Sequence, residues 1–245
     1  MWGMLLGAAT LLALGAAPAI AADLPARTYT KAPAMLAAIY DWGGFYVGLN
    51  AGGGSAHTCW TNTATGTSEG CHNATGALAG GQIGYRWQNG AFVFGLEAQG
   101  NWADLKGSNA SQALAATTNQ TKIDSVGLFT GQVGYAWNNA LWYVKGGAAV
   151  VGDKYNGLAT VAGTVFDRAA ETRWGGTVGT GIEVGFAPNW SVAAEYDHIF
   201  MGNRALNFSG VPAGAASRGE TVSQDADLAT LRVNYRWGGP VVAKH

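Results

Sequence analysis

Charge is what these 245 residues have least of. Lys, Arg, Asp and Glu together make up 12% of the chain, about half the share of an ordinary soluble domain. The 14 basic and 15 acidic residues nearly cancel, so no strong field draws nucleic acid to the chain, and that partner is excluded. Long apolar runs are also missing once the first 22 residues are set aside. Those read MWGMLLGAATLLALGAAPAIAA: a short apolar run, then Pro18 and an Ala-x-Ala pattern at Ala19-Ile20-Ala21. That is the pattern of a secretory signal (residues 1–21) cut after Ala21, although the usual positive charge before the apolar run is lacking. No later segment resembles a membrane helix, so a membrane protein built from this chain must be a barrel. Only two cysteines are present. Gly179 and Gly181 begin a GxG, but Val184 stands where its last glycine belongs, so there is no dinucleotide fingerprint.

What remains is apolar residues at 48%, with 38 Gly, 10 Trp and 9 Tyr, arranged with a period of two. Residues 80–102 (GGQIGYRWQNGAFVFGLEAQGNW) set the pattern. Ile83, Tyr85 and Trp87 alternate with Gln82, Gly84 and Arg86. Phe92, Phe94, Leu96 and Ala98 alternate with Val93, Gly95, Glu97 and Gln99. Asn89-Gly90 between them is a pair that supplies two φ > 0 residues to a tight hairpin turn. The same alternation recurs from Asp41, over 121–137, from Trp142, from Trp174 to Phe186, from Trp190, and over 229–237. Short turns fall at Asn89-Gly90, Asn138-Asn139 and Pro188-Asn189. Gly-, Ser-, Thr- and Asn-rich stretches at 53–75, 104–120, 152–169 and 202–223 read as long loops.

Eight strands, three short turns and four long loops in strict alternation predict an all-β fold. It is an eight-stranded antiparallel transmembrane up-and-down β-barrel, with short periplasmic turns and long extracellular loops. Residues 22–40 read as a periplasmic lead-in, 41–237 as the barrel and 238–245 as a tail. Trp42, Phe45, Trp87, Phe92, Trp137, Trp142, Phe186, Trp190, Tyr235 and Trp237 all lie beside the short turns or the barrel ends. In a closed cylinder they form one periplasmic-side aromatic girdle, where rings with one wet edge are favoured. Trp102, Trp174 and Phe200 begin the opposite ring. Arg86, Glu97, Lys145, Arg173, Glu183, Glu195, Asp197, Arg232 and Arg236 fall on the other face of their strands. A lipid-facing Arg or Lys near the midplane costs roughly 2–4 kcal/mol, so these nine are expected to line a plugged, salt-bridged lumen. Eight strands leave an interior only wide enough for side chains.

The segments DWGGFYVGLNAGGG (41–54), GGQIGYRWQ (80–88), FVFGLEAQGNW (92–102), GQVGYAWNN (131–139) and LRVNYRW (231–237) resemble the small outer-membrane surface-antigen barrels of alphaproteobacteria, the Omp25/Omp31-like or "porin family" proteins. The resemblance runs from Asp41 to Trp237, and ADLP at 22–25 fits it. It implies a surface-exposed outer-membrane barrel with no enzymatic role. Its partners would be outer-membrane lipid and lipopolysaccharide, the barrel-insertion machinery, and surface ligands held by the long loops. Such barrels commonly end on an aromatic residue read by the insertion machinery, whereas here GGPVVAKH follows Trp237.

Three other groupings of residues bear on chemistry. Cys59 and Cys71, an even pair in one loop of an exported chain, read as a disulfide. His57 and His72 beside them bring a Cys₂His₂ zinc site to mind, which an oxidising compartment disfavours. His198 with Glu195 and Asp197 suggests acid–base work. Alternation, however, puts His198 outside with Tyr196 and Asp197 inside, and Phe200 stands where a lipid A deacylase-like pattern needs serine. No catalytic residue, cofactor or metal is therefore expected. Two alternative functions remain: a small-solute diffusion porin, motivated by lumen polarity, and an exported soluble β-sandwich binding module, motivated by the exposed aromatics.

Overall fold

The computed structural model describes residues 40–211 and 218–237. The signal segment 1–21, nearly all of the lead-in 22–40 and the tail 238–245 lie outside the described residues. Within them the alternating segments form β1 (Gly44–Asn62), β2 (Ser68–Asn89), β3 (Phe92–Ala110), β4 (Thr117–Trp137), β5 (Ala140–Ala159), β6 (Val165–Ala187), β7 (Trp190–Asn207), a two-residue β8 (Ser209–Gly210) and β9 (Gly219–Trp237). Each long strand pairs antiparallel with its neighbours in sequence. β9 returns to β1, and β5 pairs with β6, so eight long strands close one ring. β8 is a small addition that pairs with β6 at the far end. At the first tight turn only Gly90 takes positive φ (61°), while Asn89 stays in the β2 ladder; at the second it is Asn138 (54°).

The four long loops are a correction. The wall strands run 18 to 23 residues, and most of 53–75, 104–120, 152–169 and 202–223 is strand. The far-side connections shrink to 63–67, 111–116, 160–164 and the segment that carries β8. A strand needs only about 9–11 residues to cross a bilayer. The outer surface shows where that crossing ends. From Phe92 to Trp102 on β3 the outward side chains are apolar; Leu49 is 74% and Trp102 81% exposed. Eleven residues at ~3.3 Å each, tilted by ~40°, rise about 28 Å. Beyond that height the outer face carries Asp104, Lys106, Lys122 and Lys154. The upper half of the cylinder therefore stands in water. Its outward positions are polar for that reason, and such a composition resembles a loop.

The interior is layered. Trp42, Val93, Leu141 and Tyr143 pack at the short-turn end. The ionic groups come next. Above them Leu78, Leu105, Val126, Leu128, Ile199 and Leu228 belong to a dry apolar layer. The far end holds Trp60, Tyr155, Leu206, Phe208 and Val222. The lumen is expected to be plugged by ion pairs; the apolar layer adds a second, uncharged plug above them. Trp42 is the second correction. It is 1% exposed, not part of the girdle, and its ring centroid lies 4.5 Å from that of Tyr40. It precedes β1, so strand alternation does not govern it. Gly44 (φ 114°) turns the chain at that point. The other nine girdle residues face outward or half outward, joined by Tyr85, Phe94 and Tyr135.

Candidate functional site

All nine of the ionic residues singled out in the sequence are buried, because each sits at an inward position of a regular strand. Seven form two adjoining groups. Arg86 donates to Glu183 at 2.8 Å, and its guanidinium lies over the Tyr46 ring at 4.4 Å. Glu183 also accepts from Asn234 at 3.0 Å and from Ser191. In the second group Lys145 Nζ donates to Glu195 at 2.7 Å and to Glu97 at 3.4 Å. Arg232 spans the same two carboxylates, reaching Glu97 at 2.6 Å and also donating to Glu195. The Tyr46 and Tyr143 hydroxyls donate to Glu97 and Glu195, each at 2.6 Å. Asp197 is the odd member. Lys145 lies 3.2 Å from it, yet neither Asp197 oxygen is in hydrogen-bonding geometry with any group. Three carboxylates thus share two cations.

The remaining two stand apart. Arg173, high in the wall, donates to the Tyr155 hydroxyl at 3.2 Å, to Gln224 at 3.1 Å and to the Met201 and Gly202 carbonyls. Arg236, at the short-turn end, donates to the Gly43 carbonyl at 2.9 Å and lies 4.8 Å from the Tyr40 ring centroid.

A second ionic cluster, at the far end, was missed. Arg218 donates to Asp167 at 2.6 Å and to Glu69 at 3.0 Å, and it approaches Glu220 at 3.6 Å. Asn119 donates to Glu69 at 2.8 Å, and the Arg218 guanidinium stacks 5.1 Å from Phe208. Burial first, then the neighbouring Glu69 charge, pushes the Glu220 carboxyl up to about 7 against the opposing pull of Arg218. The signal was present in the sequence: the even-numbered inward positions of the last strand run back from Arg236 to Glu220 without a break.

Cys59 and Cys71 are disulfide-bonded at directly opposed positions of β1 and β2, not within a loop. His57 Nε2 lies 3.4 Å from Cys59 Sγ on the outer face. His72 points inward to Asn109 at 2.8 Å and Thr121 at 3.0 Å. The two histidines are therefore on opposite sides of the wall, and the disulfide leaves no thiolate for a metal. His198 faces outward, as alternation requires, and meets Asp227 at 2.7 Å, with the Tyr196 hydroxyl on the same carboxylate at 2.5 Å. Glu195 and Asp197 are on the other side of the wall.

No curated protein matches the sequence. Among solved structures the chain is similar to the outer-membrane protease OmpT from Escherichia coli, with 9% identity over 79% of this chain and 97% of that one and a TM-score of 0.53. It is also similar to the outer membrane protein OprG from Pseudomonas aeruginosa, at 9% identity over 79% and 97% with a TM-score of 0.43. Neisserial surface protein A is a third, at 14% identity over 79% and 97% with a TM-score of 0.38. At such identities the likeness concerns fold alone. A family model for the outer membrane protein beta-barrel domain matches residues 7–237, and the chain belongs to that family, a β-barrel of the outer membrane.

Proposed function

We propose that the chain is a surface-exposed, structural barrel of the Omp25/Omp31-like kind, which braces the envelope and carries no solute. The dry layer across the lumen supports this reading best. Leu78, Leu105, Leu128, Ile199 and Leu228 are each at most 3% exposed, and an ion crossing them would lose its hydration with no polar group in return. Below that layer the ionic groups are cross-linked rather than lining a path. A diffusion porin is the less favoured reading on the same ground, and a closed ring with an apolar outer belt leaves a soluble sandwich without support.

Outer-membrane lipid, lipopolysaccharide and the insertion machinery are the partners in this reading, with surface ligands at the far rim. Planar-bilayer recording tests it. The purified barrel is expected to give no reproducible single-channel steps, and deletion of the protein to sensitise cells to detergent. Stable steps of uniform size would overturn the plugged reading.

A further inference from the structure

Among the described residues the wall has one open seam. β6 pairs with β7 only from Ala187↔Trp190 to Gly176↔Phe200. Yet β5–β6 pairing continues up to Leu158↔Val165, and β7–β9 pairing to Asn207↔Gly219. Above Phe200 the two strands part at an irregularity where Gly202 takes φ 63°. Higher still, β8 crosses over to pair with Asp167 and Arg168 of β6. A window closed at both ends is left between residues 169–175 of β6 and 201–207 of β7. Two arginines span it. Arg173 caps the Met201 and Gly202 carbonyls at 3.3 and 2.8 Å, and Arg204 donates to Glu171 at 2.8 Å. The cavity in the window measures about 830 Å³, within the range of small-molecule sites, and Lys154, Arg168, Glu171, Leu206, Asn207 and Ser209 are among its lining residues.

The window's height and chemistry indicate what faces it. Its lower corner is marked by Trp174 and Phe200, both exposed on the outer ring of aromatics. It therefore opens sideways, immediately above the lipid belt, into the headgroup layer of the outer leaflet. Its rim carries Lys154, Arg168 and Glu171; Arg204, which lines the smaller adjoining cavity, reaches it through its ion pair with Glu171, and Asp124 stands beside Lys154. Arg168 has no ionic partner among the described residues. An extended peptide is a poor occupant, because Arg173 already holds two of the β7 edge carbonyls it would need. An acyl chain would meet a charged rim. We infer that the window binds the phosphorylated saccharide headgroup of an outer-leaflet glycolipid. Arg168, Lys154 and Arg204 would grip its phosphates, with the amides of Asn156 and Asn207 beside the sugar. This rests on the lipopolysaccharide partnership proposed above and gives it a place on the wall.

The test is titration of the full-length barrel in nanodiscs with rough-type lipopolysaccharide, the same material dephosphorylated, and inorganic phosphate. It compares the wild type, a Lys154→Ala/Arg168→Ala/Arg204→Ala variant, the single variant Arg168→Glu, and a Lys106→Ala control on β3, away from the window. Gel mobility before and after boiling verifies that each variant is folded. Expected is a loss of at least tenfold in affinity for the triple variant and a smaller loss for Arg168→Glu. The control should be unchanged, and dephosphorylation should weaken the wild type but not the triple variant further. Equal affinity of folded wild type and Arg168→Glu, or indifference to dephosphorylation, overturns the site while leaving a partnership elsewhere on the wall. No binding by the wild type overturns the partnership as well. Competition by inorganic phosphate at equal concentration would make it a site for free anions and overturn the lipid assignment.

Discussion

Replacing Lys145 by methionine separates the contribution of lumen charge pairing from that of packing. Methionine keeps most of the side-chain length and removes the charge. In the folded barrel Nζ lies 2.7 Å from Glu195, 3.2 Å from Asp197 and 3.4 Å from Glu97, and all four side chains are at most 1% exposed. At an effective dielectric constant of ~20, each contact near 3 Å is an attraction of about 5 kcal/mol before desolvation. Most of that is offset by the loss of water, but removing one partner leaves the other charges buried and costs about 3–5 kcal/mol. After the substitution three carboxylates face Arg232 alone. The expected loss is therefore about 3–5 kcal/mol, measured by urea titration in lipid vesicles with tryptophan fluorescence. Asp197 supplies the internal control. It accepts no hydrogen bond and is the third negative charge against two positive ones, so Asp197→Asn alone should change stability by less than about 1 kcal/mol. Combined with Lys145→Met it should recover a measurable part of the loss. A Lys145→Met barrel within 1 kcal/mol of wild type, or an Asp197→Asn cost as large as that of Lys145→Met, would refute the charge accounting.

Three further outcomes follow from the wall itself. A Cβ at Gly52 would drive into the Ala229 carbonyl oxygen and come within 2.8 Å of the Thr230 Cα, whereas one at Gly100 meets nothing within 4 Å. Gly52→Ala should therefore fold poorly or lose roughly 1–3 kcal/mol, and Gly100→Ala should be neutral by the same urea titration; equal behaviour of the two would refute the close strand approach. Reducing the Cys59–Cys71 bond, which spans 12 residues, removes about 3 kcal/mol in the chain-entropy model. Protease nicking should concentrate at the β1–β2 tip, and a reduced barrel as resistant there as the oxidised one would count against it. Glu220 has its folded-state carboxyl raised from the usual 4.5 to about 7. The stability it contributes is present below 4.5 and lost as pH rises through 7. Hydrogen exchange at 219–224, corrected for intrinsic rate, should thus show a looser rim at pH 8.5 than at pH 5.5, and Glu220→Gln should flatten the difference; an unchanged pH dependence in that variant would exclude Glu220 as its source.

How far the sequence reached depends on where parity holds. From the short turns to Trp102, Trp174 and Phe200 the alternation is unbroken, so inward and outward residues could be assigned one by one. Arg86, Glu97 and Lys145 sit where the period of two puts them. Higher up, register shifts intervene between Trp102 and Leu105, between Ile123 and Ser125, and between Phe200 and Gly202. A shift of one residue exchanges the two faces of a strand. On β4 the inward set passes from even numbers, such as Leu128 and Val126, to odd ones, such as Ile123 and Thr121. A single period fitted across that point averages to nothing, and the stretch reads as loop. The loss of contrast has a second cause. Above the lipid belt the outer face no longer has to be apolar, so Ser55, His57 and Asn73 stand where Phe45 and Val47 stand lower down. Arg218 escaped notice for the second reason alone: no shift interrupts β9, but Arg218 precedes that strand in a Gly- and Ser-rich segment. The same shifts bear on the open seam. The irregularity at Phe200–Gly202 is where β7 leaves β6, so removing it by deleting Gly202 should extend the β6–β7 ladder past Gly176↔Phe200 and close the window. In that variant slower exchange of the amides at 169–175 is the expected result, and unchanged exchange would mean that β6 and β7 part for another reason.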